Sequence, residues 1–199
     1  MSEVVPLAPR RAATRARICD GARHVFFVQG FTGTTMEQVA LAAGIRRSTL
    51  YLHFREKDEI LAAIAEDYTA KLRPVIAALP GPVPDRAEVR QWVGRMTDFV
   101  LTEREATEIV VSMGHLVNAP PAALEFGQAL RVMMADRLEA FRRAMAPGQG
   151  MAFAWATAAL EELGWALCQH ARTGGTDHTR NRLAVAAELI SRFVEGDFA

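Results

Sequence analysis

The chain has 199 residues, half of them hydrophobic, and it carries 23 basic and 23 acidic side chains. This size and composition exclude an intrinsically disordered protein and allow one sizeable core or two small domains. The apolar runs are too short to cross a membrane and the basic N-terminal stretch lacks the apolar centre of a signal peptide, so we expect a cytoplasmic protein.

Basic side chains are concentrated near the N-terminus. Residues 1–58 carry nine Lys and Arg against five Asp and Glu, a balance of +4, so the remainder carries −4 because the whole chain sums to zero. A basic segment on a neutral chain favours a polyanion-binding head joined to a body that binds something else. Within residues 1–11, Arg10 and Arg11 either form an arm that reaches DNA or belong to a disordered tail.

No stretch alternates apolar and polar residues as a strand would, so the sequence predicts an all-α fold of about nine helices. Gly30 is a typical C-terminal stop for the first helix. Thr34 or Thr35 can cap the second, with Gln38 in capping-box register to Thr35. Pro74 should kink or end the fourth. In chain order, the helices are predicted over 12–29, 36–43, 46–54, 57–73, 86–102, 104–117, 121–146, 151–172 and 177–195.

The second and third predicted helices meet the requirements of a helix-turn-helix, in which one helix braces another whose N-terminal end enters the major groove of DNA. Gly44 permits the tight turn between them. Arg46 and Arg47 can bind guanine or phosphate, and the hydroxyls of Ser48 and Thr49 can bind phosphates or bases. An arginine pair alone is more often solvated surface. The apolar residues that would hold the motif together are Val39, Ala40, Ala43, Ile45, Leu50 and Phe54.

This motif lies within GFTGTTMEQVALAAGIRRSTLYLHFREKDEIL, residues 30–61. The stretch resembles the DNA-binding signature of the TetR family of bacterial transcription regulators. It departs from the pattern at Ser48, where many members carry Gly or Ala. The remaining two-thirds of the chain resemble the family only in helix number and length. The matching positions are Thr35, Ala40, Gly44, Thr49, Leu50, Tyr51, His53, Phe54 and Lys57.

The resemblance implies roles for individual residues on DNA. Thr35 would bind a phosphate through its hydroxyl and amide groups, and Tyr51, His53 and Lys57 match family positions that grip the backbone. We predict that Arg47 reads a base. The predicted DNA-binding residues are Thr35, Arg46, Arg47, Ser48, Thr49, Tyr51, His53 and Lys57.

The resemblance also divides the chain into a DNA-binding part, residues 1–56, and an effector-binding and dimerisation part, residues 57–199. Met and aromatic residues recur at helical spacing in the second part, which by itself favours a buried core. In the family, that core also holds the effector, so we predict a pocket for a small, largely apolar ligand. The predicted lining residues are Trp92, Met96, Phe99, Met113, Phe126, Leu130, Met133 and Trp155. Polar candidates to orient the ligand are Thr97, His115, Asn118 and Glu162.

The last two predicted helices are apolar over more of their surface than one chain's core requires. A two-fold homodimer that pairs them into a four-helix bundle, as in the family, would bury the excess. Such a dimer suits a palindromic operator with two half-sites.

The sequence gives catalysis little support. The five histidines lack the spacing of a metal site, and there is no phosphate-binding loop, nucleophile elbow or dinucleotide fingerprint. We therefore predict no catalytic residues, metal or cofactor. Cys19 and Cys168 are expected to be buried free thiols, with redox sensing as the alternative.

Together these patterns predict a dimeric, sequence-specific DNA-binding transcription regulator, in the form of a repressor released by its ligand. The alternatives are a transcriptional activator, or a small-molecule-binding protein that keeps the motif as a relic. An all-α enzyme is a third possibility.

Overall fold

The computed structural model of the protein describes residues 7–114, 116 and 118–196. Every regular element in this part of the chain is helical, which confirms the all-α prediction. The ten helices are α1 (Leu7–Gln29), α2 (Met36–Ala42), α3 (Arg47–Tyr51), α4 (Lys57–Ala77), α5 (Arg86–Thr102), α6 (Arg104–Met113), α7 (Pro121–Arg137), α8 (Glu139–Ala144), α9 (Gly150–Thr173) and α10 (Asp177–Glu195).

One predicted helix is two in the structure. The chain over 121–146 breaks at Leu138, which is extended (φ −115°, ψ 125°) and fully buried. Its neighbours are held by the loop after α4, because the Arg137 guanidinium donates to the Leu79 carbonyl and the Glu139 amide donates to the Pro82 carbonyl (3.1 Å). The regular apolar spacing over 121–146 contains no sign of this break.

Other boundaries also differ from the prediction. α1 begins at Leu7, so Arg10 and Arg11 lie on a helix and not on a non-helical arm, while residues 1–6 lie outside the described residues. α4 continues through Pro74 to Ala77. Two of the carbonyls left without an i to i−4 partner at this end are bonded, since the Leu79 amide donates to Ile76 at 3.0 Å and the Trp92 indole donates to Val75 at 2.9 Å.

We call α1, α2 and α3 the head. Its helices close around one set of fully buried side chains, and α2 comes so close to α1 that only a glycine fits between them. A Cβ on Gly21 would lie 2.7 Å from the Ala43 amide nitrogen. The buried side chains of the head are Ile18, Ala22, Phe26, Val39, Ala40, Leu50 and Phe54.

The remaining helices form the body, which shares one continuous buried cluster with the head. α4 packs along α7 and also touches α1, α5 and α6, so it is central to the fold. α9 and α10 pack as an antiparallel pair against α5 and α8. No helix in the described part of the chain is both long and apolar enough to span a membrane.

The two cysteines are free thiols in different surroundings. Cys168 is buried as expected, but Cys19 is only half-buried, which corrects the expectation that both are buried. Burial raises the pKa of the Cys168 thiol to about 12 and also raises the pKa of Cys19. Both are therefore thiols rather than reactive thiolates at neutral pH, which disfavours redox sensing.

The close approach at Gly21 gives a test of head packing. We expect Gly21→Ala to lower the free energy of unfolding by about 1–3 kcal/mol, because the new methyl group meets backbone rather than a movable side chain. Gly94→Ala, on an exposed stretch of α5 with nothing within 4 Å, should instead raise it by about 0.5–1 kcal/mol. Urea unfolding of both variants measures the difference, and a stabilised Gly21→Ala protein would contradict this packing.

Candidate DNA-binding surface and ligand cavity

The start of α2 is built by a capping box, as predicted. The backbone N–H of Gln38 donates to the Thr35 hydroxyl (3.3 Å), and the backbone N–H of Thr35 donates to the Gln38 side-chain oxygen (2.8 Å). The Thr35 hydroxyl and amide, predicted to bind phosphate, are therefore both engaged with Gln38 in this structure. Thr35 is exposed, so a phosphate could replace the Gln38 side chain at these two donors.

The turn from α2 to α3 places four predicted DNA-binding residues together. Gly44 adopts a left-handed conformation (φ +63°), and the Ile45 amide donates to the Ala40 carbonyl at 3.0 Å, which closes the end of α2. Arg46 precedes the first turn of α3. The side chains that this turn exposes, Arg46, Arg47 and Ser48, lie next to the half-buried Thr49.

Arg47 is held by two neighbours. Its guanidinium forms an ion pair with Glu37 of α2, and it donates to the Tyr51 hydroxyl at 3.4 Å. The guanidinium carbon also lies 5.4 Å from the centre of the Tyr51 ring. The hydrogen bond to Tyr51 and the charge of Glu37 raise the pKa of Arg47 above its usual value. Glu37 was not among the residues chosen from the sequence.

His53 is half-buried beside a second arginine. Its backbone carbonyl accepts from Arg15 (3.3 Å), and the Arg15 guanidinium stacks over the Phe54 ring at 4.1 Å. Burial, followed by the charges of Arg11 and Arg15, lowers the pKa of His53 from its ordinary value. The imidazole is therefore mainly neutral at pH 7 and would approach DNA as an N–H donor rather than as a cation.

Lys57, the first residue of α4, binds the loop between α1 and α2. Its ammonium group donates to the carbonyls of Phe31 (2.9 Å), Thr32 (3.0 Å) and Thr34 (3.3 Å). It also lies 4.8 Å from the centre of the Phe31 ring. The three ammonium protons thus have partners inside the protein, so Lys57 anchors this loop, and its contact with the DNA backbone stays a prediction.

A cavity of about 400 Å³ lies in the body between α4, α5, α6, α7 and α9. Four of the eight residues predicted to bind the ligand line it, namely Trp92, Met96, Phe126 and Leu130. Sequence reasoning missed the wall that α4 contributes, Tyr68, Leu72 and Ile76, although these positions follow one another at helical spacing.

The other four predicted lining residues, Phe99, Met113, Met133 and Trp155, lie outside this cavity. Phe99 packs against the Tyr68 ring, with the ring centres 5.3 Å apart. Met133 is buried away from the cavity, and Trp155 is 38 % exposed on α9. Met113 lines a second cavity of about 600 Å³, between α1, the loop after it and α6.

Three of the four polar candidates, Thr97, Asn118 and Glu162, do not line this cavity either. The Thr97 hydroxyl donates to the carbonyl of Val93 in its own helix, and Glu162 is paired with Arg182 of α10. Asn118 lines the second cavity, and His115 lies outside the described residues.

Different polar groups lie at the cavity. The Thr157 hydroxyl oxygen is buried and has no hydrogen-bond partner in the described part of the chain. The Tyr68 hydroxyl accepts from Thr107 at 3.1 Å, and burial strongly raises its pKa, so it is a neutral phenol. The charged or amide side chains that line this cavity are Glu125, Gln128, Arg131 and Glu161. No three His, Cys, Asp or Glu side chains within 7–114, 116 and 118–196 are grouped as a metal site requires.

Comparison with known proteins places this architecture in context. Residues 18–64 match the model of the bacterial regulatory proteins of the tetR family. The chain is 45 % identical over 106 residues, or 51 % of its length, to two HTH-type transcriptional regulators of Pseudomonas putida, SrpR and TtgW. The alignment spans 47 % of SrpR, about half of that protein, and 75 % of TtgW.

Solved structures share the fold over nearly the whole chain. A TetR-like transcriptional regulator from Rhodococcus sp. RHA1 gives a TM-score of 0.68 at 20 % identity, covering 93 % of this chain and 97 % of that one. The regulator FadR from Bacillus subtilis, solved in complex with stearoyl-CoA, gives 0.65 at 13 % identity, covering 91 % and 98 %.

The anchoring role of Lys57 can be measured directly. We expect Lys57→Met to lower the free energy of unfolding by about 1–3 kcal/mol, because the variant keeps the alkyl stem but leaves three carbonyls without their donor. Lys71→Met removes an ammonium group that pairs with Asp67 and Glu103 at the surface, and should cost less than about 1 kcal/mol. If urea unfolding shows that Lys57→Met and Lys71→Met lose the same free energy of unfolding, Lys57 does not anchor the loop.

Proposed function

Because this chain belongs to the TetR family of bacterial transcription regulators, we propose that it is a homodimeric, sequence-specific repressor that a small, largely apolar ligand releases from DNA. The observation that carries the proposal is the course of α4. Its first residue holds the loop that leads into α2, and three residues of its second half line the cavity.

The exposed N-terminal end of α3 supports DNA reading. Arg47 has the donor geometry to bind guanine, and Arg46 and Ser48 lie beside it. Thr35, Tyr51 and His53 are the candidates for phosphate contacts, with His53 in its neutral form. In this proposal Lys57 supports DNA binding on every sequence by fixing the loop that ends at Thr35.

The cavity supports a ligand with an apolar body and a polar end. Trp92, Met96 and Phe126 offer aromatic and thioether surface, and about 400 Å³ matches a drug-sized molecule. The unpartnered Thr157 hydroxyl would bind the polar end, since a buried hydroxyl without a partner is costly. Arg131 and Glu161 lie among the lining residues and can accept a charged or zwitterionic group.

We propose that α4 couples the two sites. It has 21 residues, so it is about 32 Å long, and a ligand that displaces the cavity half tilts the end that carries Lys57. In a dimer this tilt changes the separation of the two α3 helices. The ligand must bind the two arrangements unequally, because a ligand with equal affinity for both shifts nothing.

The outer face of α9 supports dimerisation. Met151 is 74 % exposed, Trp155 and Trp165 are each exposed, and the alanines at 154 and 158 leave room for a close helix. Val185 of α10 is exposed as well. An apolar patch of this kind marks an interaction surface, and a second copy of the same helix pair is complementary to it under two-fold symmetry.

Arg47 gives the test of DNA reading. We expect Arg47→Ala to weaken binding to the operator about tenfold and to relax the preference at one base position, because a bidentate arginine discriminates a guanine by this order. Arg55→Ala removes an equal charge from an exposed position between α3 and α4, and should weaken binding slightly on every sequence. The operator is selected by the wild-type protein from a random duplex library, and affinities are measured by fluorescence anisotropy.

Equal and small losses on operator and random duplexes for both variants would contradict the assigned role of Arg47. Selection of no preferred sequence by the wild-type protein would instead favour a small-molecule-binding protein that keeps the motif as a relic.

Ala158 gives the test of the dimer. We expect Ala158→Arg to convert the dimer to monomers at micromolar concentration in sedimentation velocity, because a buried charge without a partner is strongly unfavourable. Ala62→Arg, at an exposed position of α4, serves as the matched control and should leave the dimer intact. A dimer that persists in Ala158→Arg would place the interface elsewhere.

A further inference from the structure

Glu37 is an acidic residue on the surface that would face DNA. It lies in the first turn of α2, two residues after Thr35, and its side chain is 51 % exposed. An acid in the first turn of a helix is favoured by the helix dipole. That preference explains a carboxylate at this end of α2, but it does not explain why the carboxylate pairs with the one arginine that is best placed to read a base.

The contacts of Arg47 come from two helices. Glu37 reaches it from α2, and Tyr51 binds it from the next turn of α3 through both its hydroxyl and its ring. These contacts use two of the five N–H groups of the guanidinium and leave three for a base. A long side chain that would otherwise sample many rotamers is thus held at the N-terminal end of α3 before DNA arrives.

The ion pair between Arg47 and Glu37 contributes little to the stability of the fold. Arg47 and Glu37 are 61 % and 51 % exposed, and exposed pairs of this kind contribute little because solvent screens them. The ion pair instead affects how Arg47 would bind DNA. An arginine that leaves Glu37 for a phosphate exposes an unpaired carboxylate to the polyanion, whereas an arginine that reaches a base edge with its free N–H groups keeps the pair.

We infer that Glu37 is a specificity-determining positioning residue, which holds Arg47 for base reading and penalises the use of Arg47 on phosphates of any sequence. This inference rests on the proposed DNA reading by α3. It goes beyond that proposal because Glu37 is not one of the predicted DNA contacts, yet it would set the ratio between specific and non-specific binding.

Two substitutions of Glu37 distinguish its positioning of Arg47 from a simple effect of its negative charge. Glu37→Gln removes both the charge and the ion pair. Glu37→Asp keeps the charge but shortens the side chain by one methylene group, so that the contact with Arg47 is lost or lengthened. Glu56→Gln, at an exposed acid just before α4, removes the same charge elsewhere near the DNA-binding motif.

The experiment measures the affinity of each full-length variant for two duplexes over a range of salt concentrations. One duplex is the operator selected by the wild-type protein, and the other has the same composition in scrambled order. We expect Glu37→Gln to bind the scrambled duplex about five- to tenfold more tightly with little change on the operator, and to steepen the salt dependence by about one phosphate contact. Glu37→Asp should lower the specificity ratio in the same direction, and Glu56→Gln should leave it unchanged.

If Glu37 acts by positioning Arg47, the effect of substituting Glu37 should depend on the presence of Arg47. In an Arg47→Ala background, Glu37→Gln is expected to change both affinities by the same small factor. Circular dichroism melting of each variant tests whether the protein remains folded, and Glu37→Asp, which keeps the favourable charge at the helix end, serves if Glu37→Gln unfolds.

The possible outcomes are distinct. An equal gain on both duplexes for Glu37→Gln, or an unchanged ratio for Glu37→Asp, would overturn the inference and leave the proposed function standing. A wild-type protein that selects no sequence would overturn the proposed function and this inference with it.

Discussion

The ammonium group of Lys57 binds three carbonyls of the loop between α1 and α2, and the candidate DNA-binding surface depends on this contact. Carbonyls in a loop need partners as much as those in a helix do, and one cation satisfies several of them at once. Because the loop ends at Thr35, the cap of α2, the same contact sets where α2 begins. Lys57 is also the first residue of α4, so this contact links the position of the loop to the position of α4.

The other end of α4 is equally well defined. Tyr68 packs against the rings of Phe99 and Phe126, 5.3 and 5.6 Å away between centres, and its hydroxyl accepts from the buried Thr107. The Trp92 indole donates to Val75 in the last turns of the helix. A close-packed interior transmits displacement rather than absorbing it. In the proposed function, a ligand between Trp92 and Tyr68 would therefore act on a helix that also contacts the loop before α2.

The sequence predicted the head well because its signals are local. The capping box of Thr35 and Gln38 and the left-handed Gly44 each depend on a few adjacent residues, and the structure contains both. The close approach at Gly21 was missed because it depends on how two helices cross. The pairing of Arg47 with Glu37 was missed for the same reason, since the two residues lie on different helices.

In the body, helical spacing identified the apolar faces but not what each face meets. Trp92, Met96 and Phe99 follow one another at helical spacing on α5, yet the first two line the cavity and the third packs on Tyr68. Whether a buried face borders a void or another side chain is decided by all the surrounding helices together. The break at Leu138 belongs to the same class, because it follows from hydrogen bonds to a loop far earlier in the chain, at Leu79 and Pro82.

The basic residues near the N-terminus show the same limit of prediction from sequence, because their partners lie on other elements. These partners also affect how the protein would bind DNA. Residues 1–58 carry a balance of +4, but several of their cations have partners inside the protein. Lys57 holds a loop, Arg15 stacks on Phe54, and Arg23 pairs with Asp20. Arg46 and Arg55 are exposed, as are Arg10, Arg11 and Arg17 of α1, whereas Arg47 is partly compensated by Glu37. In the proposed function, the exposed cations of each head would contact phosphates, and two heads acting together would bind DNA more tightly than one, so that a change in their separation would weaken operator binding.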